Sequence, residues 1–272
     1  RDLLSSAPDL SNAHSDYLAN LNYLCEDNNE IIYRESLEWE RRHGTSLKKA
    51  YSNFSNKKVA TRRLKIGYVS PDFREHSINY FFSPLLSAHH ADNVETFCFS
   101  DNSYDDATTQ HLISAADHWQ PILGMSDTEA SKLIRAAGID ILVDLTGHMA
   151  NNRLTMFSLR PSPIQVTWLG YPNTTGLTAM DYRLTDDISD PEGLSDKFHS
   201  EKLVRVPEGF LCYRPSEIAP KVIDPPHQKN GFITFGSFNN LAKVTTVTID
   251  TWANCLVATP GSRLYVKALA LS

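Results

Sequence analysis

Three short stretches gather the residue types that chemistry needs. S-P-D-F-R-E-H-S carries Asp72, Arg74 and His76; T-G-H-M-A-N-N-R carries Thr146, Gly147, His148, Asn151, Asn152 and Arg153; S-F-N-N-L-A-K-V carries Asn239, Asn240 and Lys243. Histidine exchanges protons near neutral pH, and lysine stabilises a developing anion. Backbone amides and helix N-termini beside them suit a phosphate. The combination fits proton transfer next to an anionic leaving group. Each stretch also fits a plain structural role. Asp72 or Ser77 can cap a helix, Gly147 can supply a positive φ, and Asn151 or Asn152 can be an N-cap. The residues alone leave both readings open.

Absent motifs narrow the class. The sequence has no G-x-G-x-x-G, no G-x-x-x-x-G-K-[ST], no H-E-x-x-H and no G-x-S-x-G. Without a D-x-D pair, a metal-bound nucleotide-sugar site loses its usual anchor. The adjacent His89 and His90 lack a third ligand and are expected to be solvated. What remains is a metal-independent site with no cofactor.

All three stretches follow apolar runs, so the elements that carry them come next. L-K-I-G-Y-V from Leu64, V-E-T-F-C-F and I-D-I-L-V-D-L read as strands, and such continuous apolar runs suit parallel strands covered on both faces. Further short strands are expected at Ile164–Trp168, Tyr182–Thr185 and Lys202–Arg205. Helices are expected from Ile78 to His89, Asp105 to Ala116 and Asp127 to Ala137. Strands alternating with helices predict a doubly wound α/β sheet, whose ligands bind beyond the carboxyl ends of the strands.

Upstream, Tyr17, Leu18, Leu21 and Leu24 share one helix face, and a second helix should run through Ile32, Tyr33, Leu37 and Trp39 to Gly44. Lys48–Arg63 is polar and basic, a linker by composition. Downstream, Pro215–Asn230 holds four prolines and reads as another linker. A second unit then starts, with a strand at Phe232–Phe238, a helix through Ile249, Trp252, Ala253 and Leu256, and a strand at Arg263–Lys267. One βαβ unit cannot close a core, so the sequence is expected to be truncated within this second domain.

The 272 residues carry a net charge of −6, with 41% hydrophobic and 21% charged residues. That is a soluble-protein composition without the basic surplus of a nucleic-acid-binding domain. No apolar run is long enough to span a bilayer, and the N-terminus lacks a signal pattern. The cysteines (Cys25, Cys98, Cys212, Cys255) are scattered. Cys98 and Cys255 fall in apolar segments and are expected to be buried thiols, which suits a cytoplasmic protein.

From about Arg63 onward the chain resembles the protein O-linked N-acetylglucosamine transferases, above all their SPINDLY-like branch. The resemblance rests on G-Y-V-S-P-D-F-R-E-H-S, D-I-L-V-D-L-T-G-H-M-A-N-N-R-L, R-P-S-P-I-Q-V-T-W-L-G-Y-P-N-T-T-G, M-D-Y-R-L-T-D, G-F-L-C-Y and F-G-S-F-N-N-L-A-K-V. It implies a GT-B fold and a division into a helical connector (1–62) after a tetratricopeptide-repeat region, a first Rossmann-like lobe (63–214), a Pro-rich linker (215–230) and the start of a nucleotide-sugar-binding lobe (231–272). It further implies inverting, metal-independent transfer of N-acetylglucosamine from UDP-N-acetylglucosamine to protein Ser/Thr hydroxyls. GDP-fucose is the alternative donor, and a repeat scaffold with a vestigial catalytic lobe is the alternative of another class. His76 matches the cleft histidine proposed as general base, and Lys243 the lysine on the departing diphosphate. Asn240 falls near the phosphates. His148, with Thr146 and Gly147, belongs to the cleft wall. The loop 170–176 is expected either to pack or to touch the acceptor.

Overall fold

The computed structural model describes residues 10–24, 29–44, 53–59, 61–215 and 219–268. Cys25 and parts of the Lys48–Arg63 stretch lie outside them. The chain divides at Pro215 into two units.

The first unit is built on seven parallel strands: β1 (Leu64–Ser70), β2 (Val94–Ser100), β3 (His118–Pro121), β4 (Ile141–Asp144), β5 (Ile164–Thr167), β6 (Tyr182–Thr185) and β7 (Lys202–Arg205). They lie in the order β3-β2-β1-β4-β5-β6-β7, each pair parallel. The apolar strand runs have a direct cause here. Side chains alternate between faces, and both faces are covered. Val69, Phe99 and Leu142 join one core cluster, while their neighbours Tyr68, Cys98 and Val143 join the other.

Two helices cover the second face: α3 (Asn79–Ala88), through Phe82 and Leu86, and α4 (Ala107–Ala115), through Leu112. On the first face lie α5 (Asp127–Ala137) and the short α6 (Leu154–Ser158). The α5 helix carries its own punctuation. Ser126 and Glu129 form a reciprocal capping box, and Gly138 closes the helix in the left-handed region.

The upstream helices α1 (Ser11–Leu21) and α2 (Asn29–Trp39) pack into this unit. Leu18, Leu21, Ile32 and Trp39 are buried in the same cluster as Leu142 and Phe157. Their apolar faces pack against each other and against the lobe. Leu24 is exposed, because α1 ends at Leu21. A π-helical turn, Glu40–Gly44, continues α2 and ends where the sequence places a stop.

In the second unit, β8 (Thr234–Ser237) and β9 (Arg263–Val266) pair in parallel around α8 (Thr246–Ala258). The Pro-rich stretch before it ends in a short helix, α7 (Pro226–Asn230), with proline at its first turn, where a missing N–H costs nothing. Cys98 is buried as expected, but Cys255 is exposed: α8 has no buried residue, so its apolar spacing does not mean burial. His89 also departs from expectation. It is half-buried, and its Nε2 lies 2.7 Å from the Tyr68 hydroxyl.

Candidate active site

The order of strands reverses between β1 and β4, and a polar cavity of about 530 Å³ opens at the carboxyl ends of the first unit's strands. Asp72 and Arg74 come from the loop after β1, Asp101 and Tyr104 from that after β2, and Asn151–Arg153 from that after β4; Ser11 and Asn12 of α1 complete the rim.

Within the β1 loop, Arg74 donates to Asp72 at 3.1 Å and lies 4.9 Å over the Tyr104 ring. The amide of Asn79 donates to the carbonyls of Asp72 and Arg74 and fixes the loop. His76 is half-exposed. Its Nδ1 accepts from the Ile78 N–H at 3.4 Å and lies 3.8 Å from the Asp72 carboxylate.

The β4 turn is held by a carboxylate that motif reasoning passed over. Asp144 is buried and accepts from the N–H groups of Thr146 (3.0 Å) and Gly147 (2.9 Å) and from the Thr167 hydroxyl (2.9 Å). Burial pushes its pKa up to about 6, against the pull of those donors. The one signal for it was a charge ending an otherwise apolar run. Gly147 turns with φ +55°, and a Cβ there would sit 2.3 Å from Cβ of Tyr171.

That turn sends His148 inward. Thr146, Gly147 and His148, expected as substrate contacts, are all buried. His148 Nε2 donates to the Thr175 carbonyl (2.8 Å), so Nδ1 accepts from the Ser15 hydroxyl of α1 (3.1 Å). Trp39 and Tyr171 meet its ring edge-to-face. Burial drives its pKa down to about 3, and the ring is neutral. The cavity wall is instead the next part of the same turn. The N-cap of α6 is Arg153 rather than Asn152, which holds the preceding turn, its Oδ1 accepting from Leu154 N–H and its Nδ2 donating to the Met149 carbonyl. Arg153 is clamped by Asp101 (2.6 and 2.7 Å) and Asp127 (3.0 Å).

The loop 170–176 packs. Thr174 and Thr175 are held by the buried Glu201, and Gly176 lies against the Ser36 backbone of α2. Asn240 and Lys243 belong to the second unit. Asn240 caps the turn Leu241–Lys243 by accepting from Ala242 N–H at 3.1 Å, and the Lys243 side chain is exposed. Among the described residues no group of three or more His, Cys, Asp or Glu side chains is arranged to hold a metal ion, and no helix is long and apolar enough to cross a membrane.

A doubly wound parallel sheet with a polar crevice at its strand-order reversal defines a Rossmann-like ligand-binding lobe. The family model described as glycosyl transferase family 41 matches residues 36–224, and the chain belongs to that family. It is 46% identical over 264 residues to the rice (Oryza sativa subsp. japonica) protein named "Probable UDP-N-acetylglucosamine–peptide N-acetylglucosaminyltransferase SPINDLY", covering 96% of this chain and 28% of that protein. The SPINDLY protein of Arabidopsis thaliana is 42% identical over the same share of this chain. Among solved structures, an O-GlcNAc transferase of Thermobaculum terrenum carrying K341M matches with a TM-score of 0.91 and 36% identity, over 98% of this chain and 50% of that one. The chain thus spans about a quarter of the length of the SPINDLY relatives.

Proposed function

We propose that the protein carrying this chain is a cytoplasmic protein O-N-acetylglucosaminyltransferase that moves the sugar from UDP-N-acetylglucosamine to Ser/Thr hydroxyls of proteins, with inversion and without a metal. Family membership and the relatives' names support this reading. The observation that carries it is the carboxyl-edge cavity lined by Asp72 and Arg74, with His76 two residues on from Arg74 in the same loop and its Nδ1 3.8 Å from the Asp72 carboxylate. In the proposed step the acceptor oxygen attacks the anomeric carbon as the bond to the diphosphate breaks. The His76 imidazole takes the hydroxyl proton, and the leaving diphosphate keeps the electron pair. Lys243, with Asn240, stabilises that charge; a fixed ammonium near a departing phosphate contributes in the manner of other electrostatic catalysts. Asn151, rather than His148, presents a polar group to the acceptor side, while Asn152, Asp144 and His148 hold the turn in place.

The test uses the full-length parent with a Ser/Thr peptide and each labelled donor, UDP-N-acetylglucosamine or GDP-fucose. His76→Ala is expected to lower kcat by about 10²–10⁴-fold, the usual weight of a general base. Lys243→Ala is expected to cost about 10²-fold or more. Fucose transfer in place of N-acetylglucosamine would replace the donor assignment and keep the site. Unchanged transfer in both variants would remove the site, and no transfer from either donor would leave a scaffold.

A further inference from the structure

The amino edge of the same sheet carries a second cavity, of about 890 Å³, on the side opposite the candidate active site. One wall is the strap of residues 53–59 from the basic stretch that no role has yet absorbed. Asn56 ties the strap to the sheet, its amide donating to the Gly138 and Ile139 carbonyls and to Asp140 (2.7 Å). Arg62 closes the far end with a bidentate pair to Asp140 (2.5 and 2.6 Å) and a bond to the Lys57 carbonyl. Arg135 donates to the Asn53 carbonyl and lies 5.1 Å over the Phe54 ring. The wall is therefore built, with its anchors consumed in holding it.

Two groups of side chains are left over, and they face one cavity. Val59, Leu64 and Ile164 line it with 52%, 40% and 39% of their surface exposed. Apolar side chains gathered at one concavity are a binding signature, whereas scattered ones are not. Lys57 and Lys58 line it too, exposed and without an acidic partner among the described residues. The surplus is local, because the whole chain is net negative at −6.

We propose that this amino-edge groove docks an acidic segment of a partner protein, a bulky apolar side chain seating between Val59, Leu64 and Ile164 while flanking carboxylates meet Lys57 and Lys58. A nucleic acid fits less well. Its backbone gains affinity from many cations, and the one aromatic ring of the wall, Phe54, is already covered by Arg135. Because the groove lies at the amino ends of the strands, docking there leaves the carboxyl-edge cavity open. The inference rests on the lobe alone and not on the transfer reaction.

The experiment is fluorescence anisotropy on the 272-residue chain with a fluorescein-labelled peptide alternating glutamate with leucine and phenylalanine. Saturable binding is expected, weaker at physiological than at low salt. Lys57→Glu with Lys58→Glu should weaken it about tenfold or more, since like charges then meet across the contact. Val59→Ser, or serine in place of the peptide's leucine and phenylalanine, should weaken it about fivefold through lost apolar burial. These side chains are exposed, and unchanged thermal unfolding checks that the variants remain folded. Absence of saturable binding overturns the proposal, as does equal affinity in the lysine variant. Single-stranded DNA or polyglutamate binding as tightly as the peptide also overturns it, because the apolar floor then contributes nothing.

Discussion

At the scale of single residues, the polar groups divide into those that work by being free and those that work by being held. His148 is held. Its ring bridges Ser15 on α1 and Thr175 on the loop before β6, and Phe in its place would keep the ring contacts while stranding a buried hydroxyl and a buried carbonyl. His148→Phe should lower unfolding free energy by roughly 1–3 kcal/mol in urea denaturation; a change of a few tenths would mean that the ring acts by packing alone. Gly176 shows the same coupling through the backbone. With φ +74° and the Ser36 carbonyl oxygen 2.3 Å from where a Cβ would lie, Gly176→Ala has no side chain to push aside and must move α2 itself. A loss of at least about 2 kcal/mol is expected in the same assay. His76 is the contrasting case, an exposed ring whose Nδ1 takes one long 3.4 Å bond from the Ile78 N–H beside the Asp72 carboxylate. The sequence shows that these types sit at strand ends; it does not show which way each one points. His148 and His76 look alike as letters, and the left-handed turn at Gly147 is what separates them.

At the scale of elements, what could be read in advance was whatever had strong local physics. The β4 run, α5 with its Ser126/Glu129 box and Gly138 stop, and the turn positions after β1, β4 and β8 all carry their signals within a few residues. Edge strand β3 did not. His118–Pro121 has no apolar alternation, and its pairing with β2 is a tertiary fact. The helical pair α1–α2 was legible as helices but not as a wall of the lobe, because Leu18, Ile32 and Trp39 are matched to a face assembled from distant segments. That wall gives the molecule a pH dependence. Burial lowers His14 to about 4, with the facing His43 and Arg42 adding to it against Glu38, and lowers His148 to about 3. Both lie below the ordinary 6.5, so the unfolded chain binds more protons as pH falls and stability is lost from about pH 6.5 downward. Asp144, raised to about 6 from 3.8, acts with the opposite sign over pH 6 to 4, but it is one carboxyl against two imidazoles. The salt-bridged Glu38, held at about 2 by Arg41 and Arg42, adds a further loss below its ordinary 4.5. Melting temperature should fall steadily from pH 6.5 to 5, followed by circular dichroism, and His14→Asn should flatten that fall. A melting temperature that rises on acidification would show that the two imidazoles do not govern the wall.

At the scale of the whole molecule, the two units differ in how they are stabilised. The first places large side chains such as Trp39, Phe82, Phe99 and Phe157 entirely out of water, in clusters on both faces of seven strands. The second has a two-stranded sheet and one helix. Neither α8 nor β9 has a buried residue, and Val247, Ile249 and Val257 are more than half exposed. Two strands and a helix fall short of what a self-sufficient core needs, so residues 231–268 should open at low cost in the 272-residue chain, independently of the first unit. Hydrogen exchange resolved by peptide should show β1, β4 and β5 amides protected to near the global unfolding free energy, with those of α8 and β8 exchanging within a few kcal/mol of the open state. Cutting the chain after Pro215 should then leave the main melting transition within about 2 °C. Equal protection of α8 and β4, or a larger drop on truncation, would mean that the two units of the 272-residue chain unfold as one.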